Sequence, residues 1–259
     1  MVNRLLTGIF GKPPGTVNPG ASAMIAVGAA GLQRLLLPPT CLLCGADGAL
    51  GRDLCAGCAA DLPRNHTACP GCAIPLAGSQ NGFCAKCQAE PRSFARTFAP
   101  FRYQPPVDFL IRGLKFEGRL SHARLLGELF AAALAERTEP LPDCIIPVPL
   151  HPRRLRERGF NQALELARAA AARFRIPLLA TGLRRVRYTT PQTRLDAHHR
   201  QTNPLGAFAS GRWEIRLRVA LIDDVMTTGS TVGECARVLR AGGVNEVEVW
   251  ALGRTGASV

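Results

Sequence analysis

Aromatic side chains are scarce in this chain: 11 Phe, 2 Trp and 2 Tyr make up 6% of its 259 residues. Surfaces that track single-stranded nucleic acid stack bases on exposed aromatics, so that role starts with little support. Acids are also few, with 19 Asp and Glu against 32 Lys and Arg, a net charge of +13. Such a balance points to an anionic partner: phosphates, nucleic acid or a membrane surface. No stretch reaches the roughly 20 clean apolar residues that a membrane span needs. The nearest, "SAMIAVGAAGLQRLLLP" at 22–38, is broken by Gly28, Gly31, Gln33 and Arg34. It reads as a helix packed on the segment C-terminal to it, with a membrane-surface helix as the alternative. It starts late and lacks a basic region directly before it, which argues against a signal peptide. No transmembrane segment is expected, and the location implied is cytoplasmic. The Gly-Lys-Ser/Thr of a nucleotide P-loop is missing too.

Cysteine is abundant but confined. Eight of the ten fall in four CxxC pairs: Cys41/Cys44, Cys55/Cys58, Cys69/Cys72 and Cys84/Cys87. Two intervening residues let both thiolates of a pair face one metal, so each pair makes half of a tetrahedral site. Disulfides belong to secreted chains, and a redox CxxC is usually a single pair at a strand-to-helix turn. The spacing therefore predicts two structural zinc ions. Sequential use of the pairs closes the shorter loops and costs less entropy; an interleaved grouping remains open on spacing alone. With four thiolates and no open position, neither ion is suited to catalysis. Residues 41–87 are otherwise charge-neutral, so eight thiolates and two Zn²⁺ leave the module negative. It suits bracing, or docking a protein partner, better than gripping nucleic acid. Cys144 and Cys235 sit in apolar surroundings and read as small buried hydrophobes.

The rest of the chain alternates strand and helix signals. "DCIIPVPL" (143–150) is a continuous apolar run, as a buried parallel strand requires. A basic loop then precedes a helix carrying Ala163, Ala167, Ala170 and Phe174 in register. "VALID" (219–223) is a second buried strand, 231–241 a helix ending at Gly242-Gly243, and 244–252 a third strand. Earlier, "VDFLIRGLKF" has helical spacing, and 121–137 continue as an Ala/Leu-rich helix. This order implies an α/β domain with a mostly parallel sheet.

The segment "VALIDDVMTTGST" (219–231) sets two acids, Asp223 and Asp224, at a strand end and continues directly into hydroxyls and a glycine. Ligands of parallel sheets sit beyond the carboxyl ends of the strands. Thr227, Thr228, Gly229, Ser230 and Thr231 lead into a helix N-terminus, which is an anion site. Acids beside a phosphate cradle repel that phosphate unless they hold something between; a vicinal sugar diol and a hydrated Mg²⁺ fit that role. The stretch reads as a recogniser of ribose 5-phosphate.

This segment resembles the signature of type I phosphoribosyltransferases, and the chain as a whole resembles the ComF family. "LLLPPTCLLC", four CxxC pairs, "LIRGLKFEGR", "IIPVPLHPRRLRERGFNQ", "RVRYTTPQTRLDAHHRQTNPLGAF" and "IDDVMTTGSTVGECARVLRAGG" occur in that order over about residues 32–255. The resemblance implies a flexible lead (1–31), a double zinc ribbon with its leading helix (32–90) and a type I phosphoribosyltransferase-like parallel sheet with flanking helices (91–259). By the same resemblance Asp223 and Asp224 hold the ribose hydroxyls and Mg²⁺ of phosphoribosyl pyrophosphate, and Thr227 to Thr231 wrap its 5-phosphate. The pyrophosphate would lie on Val148, Pro149, Leu150 and His151, with Arg153, Arg154, Arg158 and Lys115 near. A mobile loop at 184–205 would bring Arg184, Arg185, Arg187, Gln192 and Arg200 over the reaction. Residues 153–200 carry a net charge of +9, which places the anion there without nucleic acid. No general base and no acceptor is legible. The family's association with natural competence and DNA uptake keeps an alternative open: a non-catalytic factor that senses nucleotide or binds single-stranded DNA. A transcriptional regulator is disfavoured, since no helix-turn-helix is visible.

Overall fold

The computed structural model describes residues 38–77, 82–189, 203–213 and 217–256. The expected lead and nearly all of the 22–38 helix lie outside these, as do Gln192 and Arg200. The chain divides into two compact units, Met1–Asp61 and Leu62–Val259.

In the first unit Cys41 and Cys44 sit on a tight knuckle. Gly45 donates back to the Cys41 carbonyl at 2.9 Å and Cys41 to that of Ala46 at 2.7 Å. Cys55 is the N-cap of the short helix α1 (Ala56–Ala60), its sulfur accepting from the Cys58 amide at 3.3 Å. The second unit opens on the same device. Ala73 donates to the Cys69 carbonyl at 2.7 Å, and Cys84 caps a second short helix, α2 (Ala85–Ala89). Knuckle then capped helix, twice over, is an internal repeat; each copy delivers four sulfurs to one point.

The sheet comes next in the chain. β1 (Arg96–Phe98), β2 (Phe101–Arg102), β3 (Cys144–Pro147), β6 (Arg218–Met226) and β7 (Glu246–Arg254) are parallel wherever they pair. The order is β1-β7-β6-β3, with β2 also on β7. Helices α3 (Val107–Glu117) and α4 (Leu120–Ala135) connect β2 to β3. A basic helix α5 (Pro152–Arg158) and α6 (Gln162–Phe174) come after β3. β4 (Leu183–Arg185) and β5 (Phe208–Ser210) pair antiparallel as a separate ribbon. Helix α7 (Ser230–Ala241) joins β6 to β7. Val219, Leu221, Val247 and Val249 pack with Val232, Cys235 and Leu239 of α7 in one core cluster. Ala220, Ile222 and Trp250 are equally buried, so both faces of the sheet are covered, and the strands read as unbroken apolar runs for that reason. Cys144 and Cys235 are fully buried, as their surroundings imply.

Two local readings change. The basic stretch after β3 is helical rather than a loop: His151 caps it, Pro152 occupies its first turn, and Gly159 stops it in the left-handed conformation. Proline at a helix start costs nothing, because that N–H has no partner anyway. The strand begun at Val219 also runs on through both acids to Met226, because β7 continues to pair with it as far as Arg254.

Candidate functional site

The two edges of β6 end at different places, and this opens the site. β3 stops at Pro147, opposite Ile222, and its last link is the Val148 amide to the Ile222 carbonyl at 2.8 Å. On the other edge Asp223 still pairs with Ala251 and Met226 with Arg254. Asp223 and Asp224 are therefore held by a full strand on one side, while the chain leaving β3 turns away on the other. A cavity of about 920 Å³ occupies the gap.

The acids are braced locally. Asp223 Oδ1 accepts from the Asp224 amide at 2.9 Å, and Asp224 Oδ1 from the Val225 amide at 2.7 Å. Lys115 Nζ lies 2.8 Å from Asp224 Oδ2. Burial, and then the charge of Asp224 beside it, push the Asp223 carboxyl up to about 7. A buried acid with a like-charged neighbour gains from a hydrogen-bonding diol or a cation. Two carboxylates on one cleft wall are hard oxygen donors of the kind Mg²⁺ takes, so Asp223 and Asp224 fit a role in holding it.

Thr227 and Thr231 also line the cavity. Between them Thr228 Oγ1 and Ser230 Oγ are 2.9 Å apart. Gly229, at φ 81°, is the N-cap of α7. A methyl group placed on it would meet Met226 Cε at 2.6 Å. Only glycine takes this turn freely, and the turn brings the segment back into a helix whose first amides have no acceptor within the helix.

Arginines line the same cavity. Arg154 and Arg158 of α5 and Arg185 of β4 line the cavity with Val148, Pro149 and Leu150. Burial lowers the pKa of both Arg158 and Arg185, and guanidinium stays charged regardless. Among the described residues the Arg185 Nε has no hydrogen-bond partner, nor does Nε2 of Gln162, a buried residue on the same cavity. Buried donors without acceptors are costly, and a bound anion supplies acceptors.

Of the other expected residues, Lys115 lines the same cavity, and the rest are held by local partners or exposed. His151 caps α5, its Nδ1 accepting from the Arg153 amide at 3.2 Å, and meets Tyr188 edge-on at 5.2 Å. Arg153 binds Glu157 at 3.1 Å and lies over the Tyr188 ring. Arg184 is exposed on β4. Arg187 donates to the carbonyls of Asn203 at 2.9 Å and Leu205 at 2.7 Å, holding together the two ends of the segment it begins. Arg185 also donates to Thr189. Lys115, expected near phosphate, is engaged with Asp224. Gln162 closes the stretch "IIPVPLHPRRLRERGFNQ", but that stretch alone gives it no role; its burial without a partner for Nε2 among the described residues marks it. Asn161 links this helix to the strand exit: its Nδ2 donates to the Val148 carbonyl at 3.0 Å and its Oδ1 caps α6.

The cysteines form two tetrads in sequential order, Cys41/Cys44/Cys55/Cys58 and Cys69/Cys72/Cys84/Cys87, with every sulfur of a tetrad within 4.8 Å of the others. Cys44 and Cys55 sulfurs are 3.6 Å apart, and those of Cys72 and Cys84 are 3.7 Å apart. Zinc–sulfur bonds of about 2.3 Å in a tetrahedron require roughly 3.8 Å between sulfurs, so both tetrads fit zinc. Burial raises the Cys69 thiol, but backbone hydrogen bonds from Cys84, Cys72 and Gly71 bring it down to about 7.

Comparison with known proteins agrees with this arrangement. The double zinc ribbon domain family model matches residues 32–88. Competence protein F of Haemophilus influenzae is 37% identical over 179 residues, 66% of this chain and 78% of that protein. The DNA utilization protein YhgH of Escherichia coli O157:H7 is 36% identical over 229 residues, 85% of this chain and 99% of that protein. The chain belongs to the ComF family. Competence protein ComFC of Streptococcus pneumoniae is 29% identical over 60% of this chain and 67% of that protein. Among solved structures, adenine phosphoribosyl transferase from Trypanosoma brucei, in complex with AMP, pyrophosphate and ribose-5-phosphate, covers 54% of this chain and 55% of that one. Its identity is 18% and its TM-score 0.32. The fold class of this ComF protein rests on its own strand order and its two cysteine tetrads. No helix among the described residues is long and apolar enough to cross a membrane.

Proposed function

We infer that this ComF protein binds phosphoribosyl pyrophosphate with Mg²⁺ and acts as a phosphoribosyltransferase on an acceptor of unidentified class. One observation carries the reading: the paired acids at the open end of β6 share one cavity with Thr227 and Thr231 of the turn and with Arg154, Arg158 and Arg185. Asp223 and Asp224 accept hydrogen bonds from the ribose diol. The turn and the first amides of α7 take the 5-phosphate. The three arginines take the pyrophosphate through charge-assisted hydrogen bonds. In the reaction the bond from C1 of ribose to pyrophosphate breaks as the acceptor atom bonds to C1, and pyrophosphate leaves with the electron pair. Bound Mg²⁺ supplies charge neutralisation for that leaving group. The chain's own residues contribute positioning and cations aimed at the charge that develops. The zinc tetrads, closed by four thiolates each, take no part in the chemistry. A cytoplasmic location suits reduced thiols of this kind.

Calorimetric titration with phosphoribosyl pyrophosphate and Mg²⁺ tests the reading, on wild type and on Asp223→Asn/Asp224→Asn. Binding in the first and none in the second is expected. No binding by wild type removes it.

A second reading has its own support. Tyr188 is exposed, with Arg153 and Arg154 5.0 and 5.9 Å from its ring centroid, and exposed Phe116 has Arg158 at 5.8 Å. Both rings line the cavity. Aromatic rings flanked by arginines stack bases of single-stranded DNA, and the relatives' names connect them with competence and DNA utilization. On this reading the chain takes part in DNA uptake by binding the strand, with or without catalysis.

A further inference from the structure

The second cysteine tetrad is built into the floor of the proposed phosphate turn. Two arginines make the connection. Arg92 donates its Nε–H to the Cys87 sulfur at 3.0 Å. Its guanidinium also reaches the turn, since a methyl group placed on Gly229 would come within 3.4 Å of Arg92 Nη1. Arg254, at the end of β7, is buried. It donates from Nε to the Cys72 carbonyl at 2.8 Å and from Nη1 to the Met226 carbonyl at 3.1 Å. Met226 is the last residue of β6, and its methyl group lies under Gly229. The Met226 end of the 226–229 segment is thus hydrogen-bonded through Arg254 to Cys72, and the Gly229 end packs against the Arg92 guanidinium that is bonded to Cys87.

The Arg92 bond depends on the metal state of its sulfur, while the Arg254 bond to the Cys72 carbonyl depends on the knuckle backbone that the metal holds in place. A thiolate accepts a guanidinium hydrogen bond as a charged partner, which shortens and strengthens it. A neutral thiol is a weak acceptor. A tetrad of four thiolates on one Zn²⁺ keeps a net negative charge and a fixed position; four separate thiols keep neither. Arginines that coordinate nothing themselves then orient the turn as second partners of a metal centre.

We propose that the Cys69/Cys72/Cys84/Cys87 zinc centre holds the Thr227–Thr231 turn in its anion-binding conformation through Arg92 and Arg254, so that metal occupancy there controls affinity for the sugar phosphate. Arg92 is a positioning residue in this scheme. The dependence of affinity on the metal rests on the phosphoribosyl reading; the tie itself does not.

Arg92→Ala keeps all eight cysteines and is the deciding variant; Cys87→Ser removes the metal itself. Zinc content, amide hydrogen exchange of residues 226–231 without ligand, and calorimetric titration with phosphoribosyl pyrophosphate and Mg²⁺ are measured on each. Wild type and Arg92→Ala are expected to hold two zinc ions per chain and Cys87→Ser one. Exchange in 226–231 is expected to accelerate about tenfold in Arg92→Ala, the response of a local opening that has lost one charged tie, and affinity to fall by a similar factor. Unchanged exchange in Arg92→Ala overturns the proposal, and so does unchanged affinity. Should Cys87→Ser fail to fold, Arg92→Ala decides alone. Should wild type bind no ligand, the phosphoribosyl reading fails, and exchange alone then judges the tie.

Discussion

Lys115, in the last turn of α3, places its ammonium 2.8 Å from Asp224 on β6, with side-chain exposures of 21% and 12%. The contact joins a helix that precedes the sheet core to the strand that carries the site. It also neutralises one of two adjacent carboxylates, which is how the pair persists without a ligand. Removing the ammonium leaves a largely buried charge uncompensated, a cost of about 2 kcal/mol for a pair that keeps some water contact. Lys115→Met should therefore unfold at lower urea at pH 7. Lys115→Met/Asp224→Asn should recover much of the loss, with a coupling of about 1 kcal/mol in the double-mutant cycle. Additive single effects would show that the pair is incidental.

Asp223 gives a pH signature. Its ordinary pKa is 3.8, and burial with the neighbouring Asp224 charge pushes it up to about 7. A raised folded-state pKa means that the folded protein holds the proton more tightly than the unfolded chain. The stabilisation is complete below about 3.8 and is lost as pH rises through about 7. Asp223→Asn carries no such titration. Its melting temperature relative to wild type should climb between about pH 4 and pH 7, the interval between the two pKa values, and level off above it, and the same variant should lose sugar-phosphate binding. Stability gained where function is lost is the usual trade at a strained site. A relative melting temperature flat across that range would refute the assignment.

Much of this could be read before any coordinates. The parallel strands announced themselves as apolar runs because helices cover both faces, and the CxxC spacing announced the metal-binding pairs because the two ligands of a pair are close in sequence; the grouping of pairs into tetrads came from the structure. The Thr227–Thr231 turn stood out because its hydroxyls and glycine sit in consecutive residues. What stayed hidden was assembled across distance. Glu248 looks like the polar half of an alternating strand, yet it is buried and paired with Arg137 at 2.9 Å, whose guanidinium also covers Phe98 and Trp250. Lys115 reads as a surface or phosphate lysine until Asp224 is found beside it. Nor does spacing show that Arg154 and Arg158 line the cavity while Arg153 pairs with Glu157; that depends on α5 being a helix.

Gly229 is the residue the turn can least spare. At φ 81° with Met226 Cε 2.6 Å from any added methyl group, alanine there is both strained and crowded. Holding a non-glycine residue in that region costs about 1–3 kcal/mol. The stability loss in Gly229→Ala should be modest by thermal melting. The loss of phosphoribosyl pyrophosphate affinity should exceed tenfold, because the turn's amides no longer converge. A variant that melts earlier but binds normally would remove the turn from the binding site.

The aromatic rim separates the two functional readings. Tyr188 and Phe116 are exposed and carry arginines on their faces. Stacking of a base on such a ring contributes about 1–3 kcal/mol, so Phe116→Ala/Tyr188→Ala should weaken single-stranded DNA binding by tenfold or more if the rim holds bases. The arginines would remain, and the salt dependence of DNA affinity, set by phosphate contacts, should keep its slope. Phosphoribosyl pyrophosphate has no base to stack, so its affinity should change by less than about threefold in the same protein. Fluorescence anisotropy with a labelled oligonucleotide, alongside calorimetry with the sugar phosphate, measures both. Equal loss of both ligands would mean that the rim shapes the cavity as a whole. Loss of neither would leave the rings as packing for Arg153, Arg154 and Arg158, and the DNA reading without its structural support.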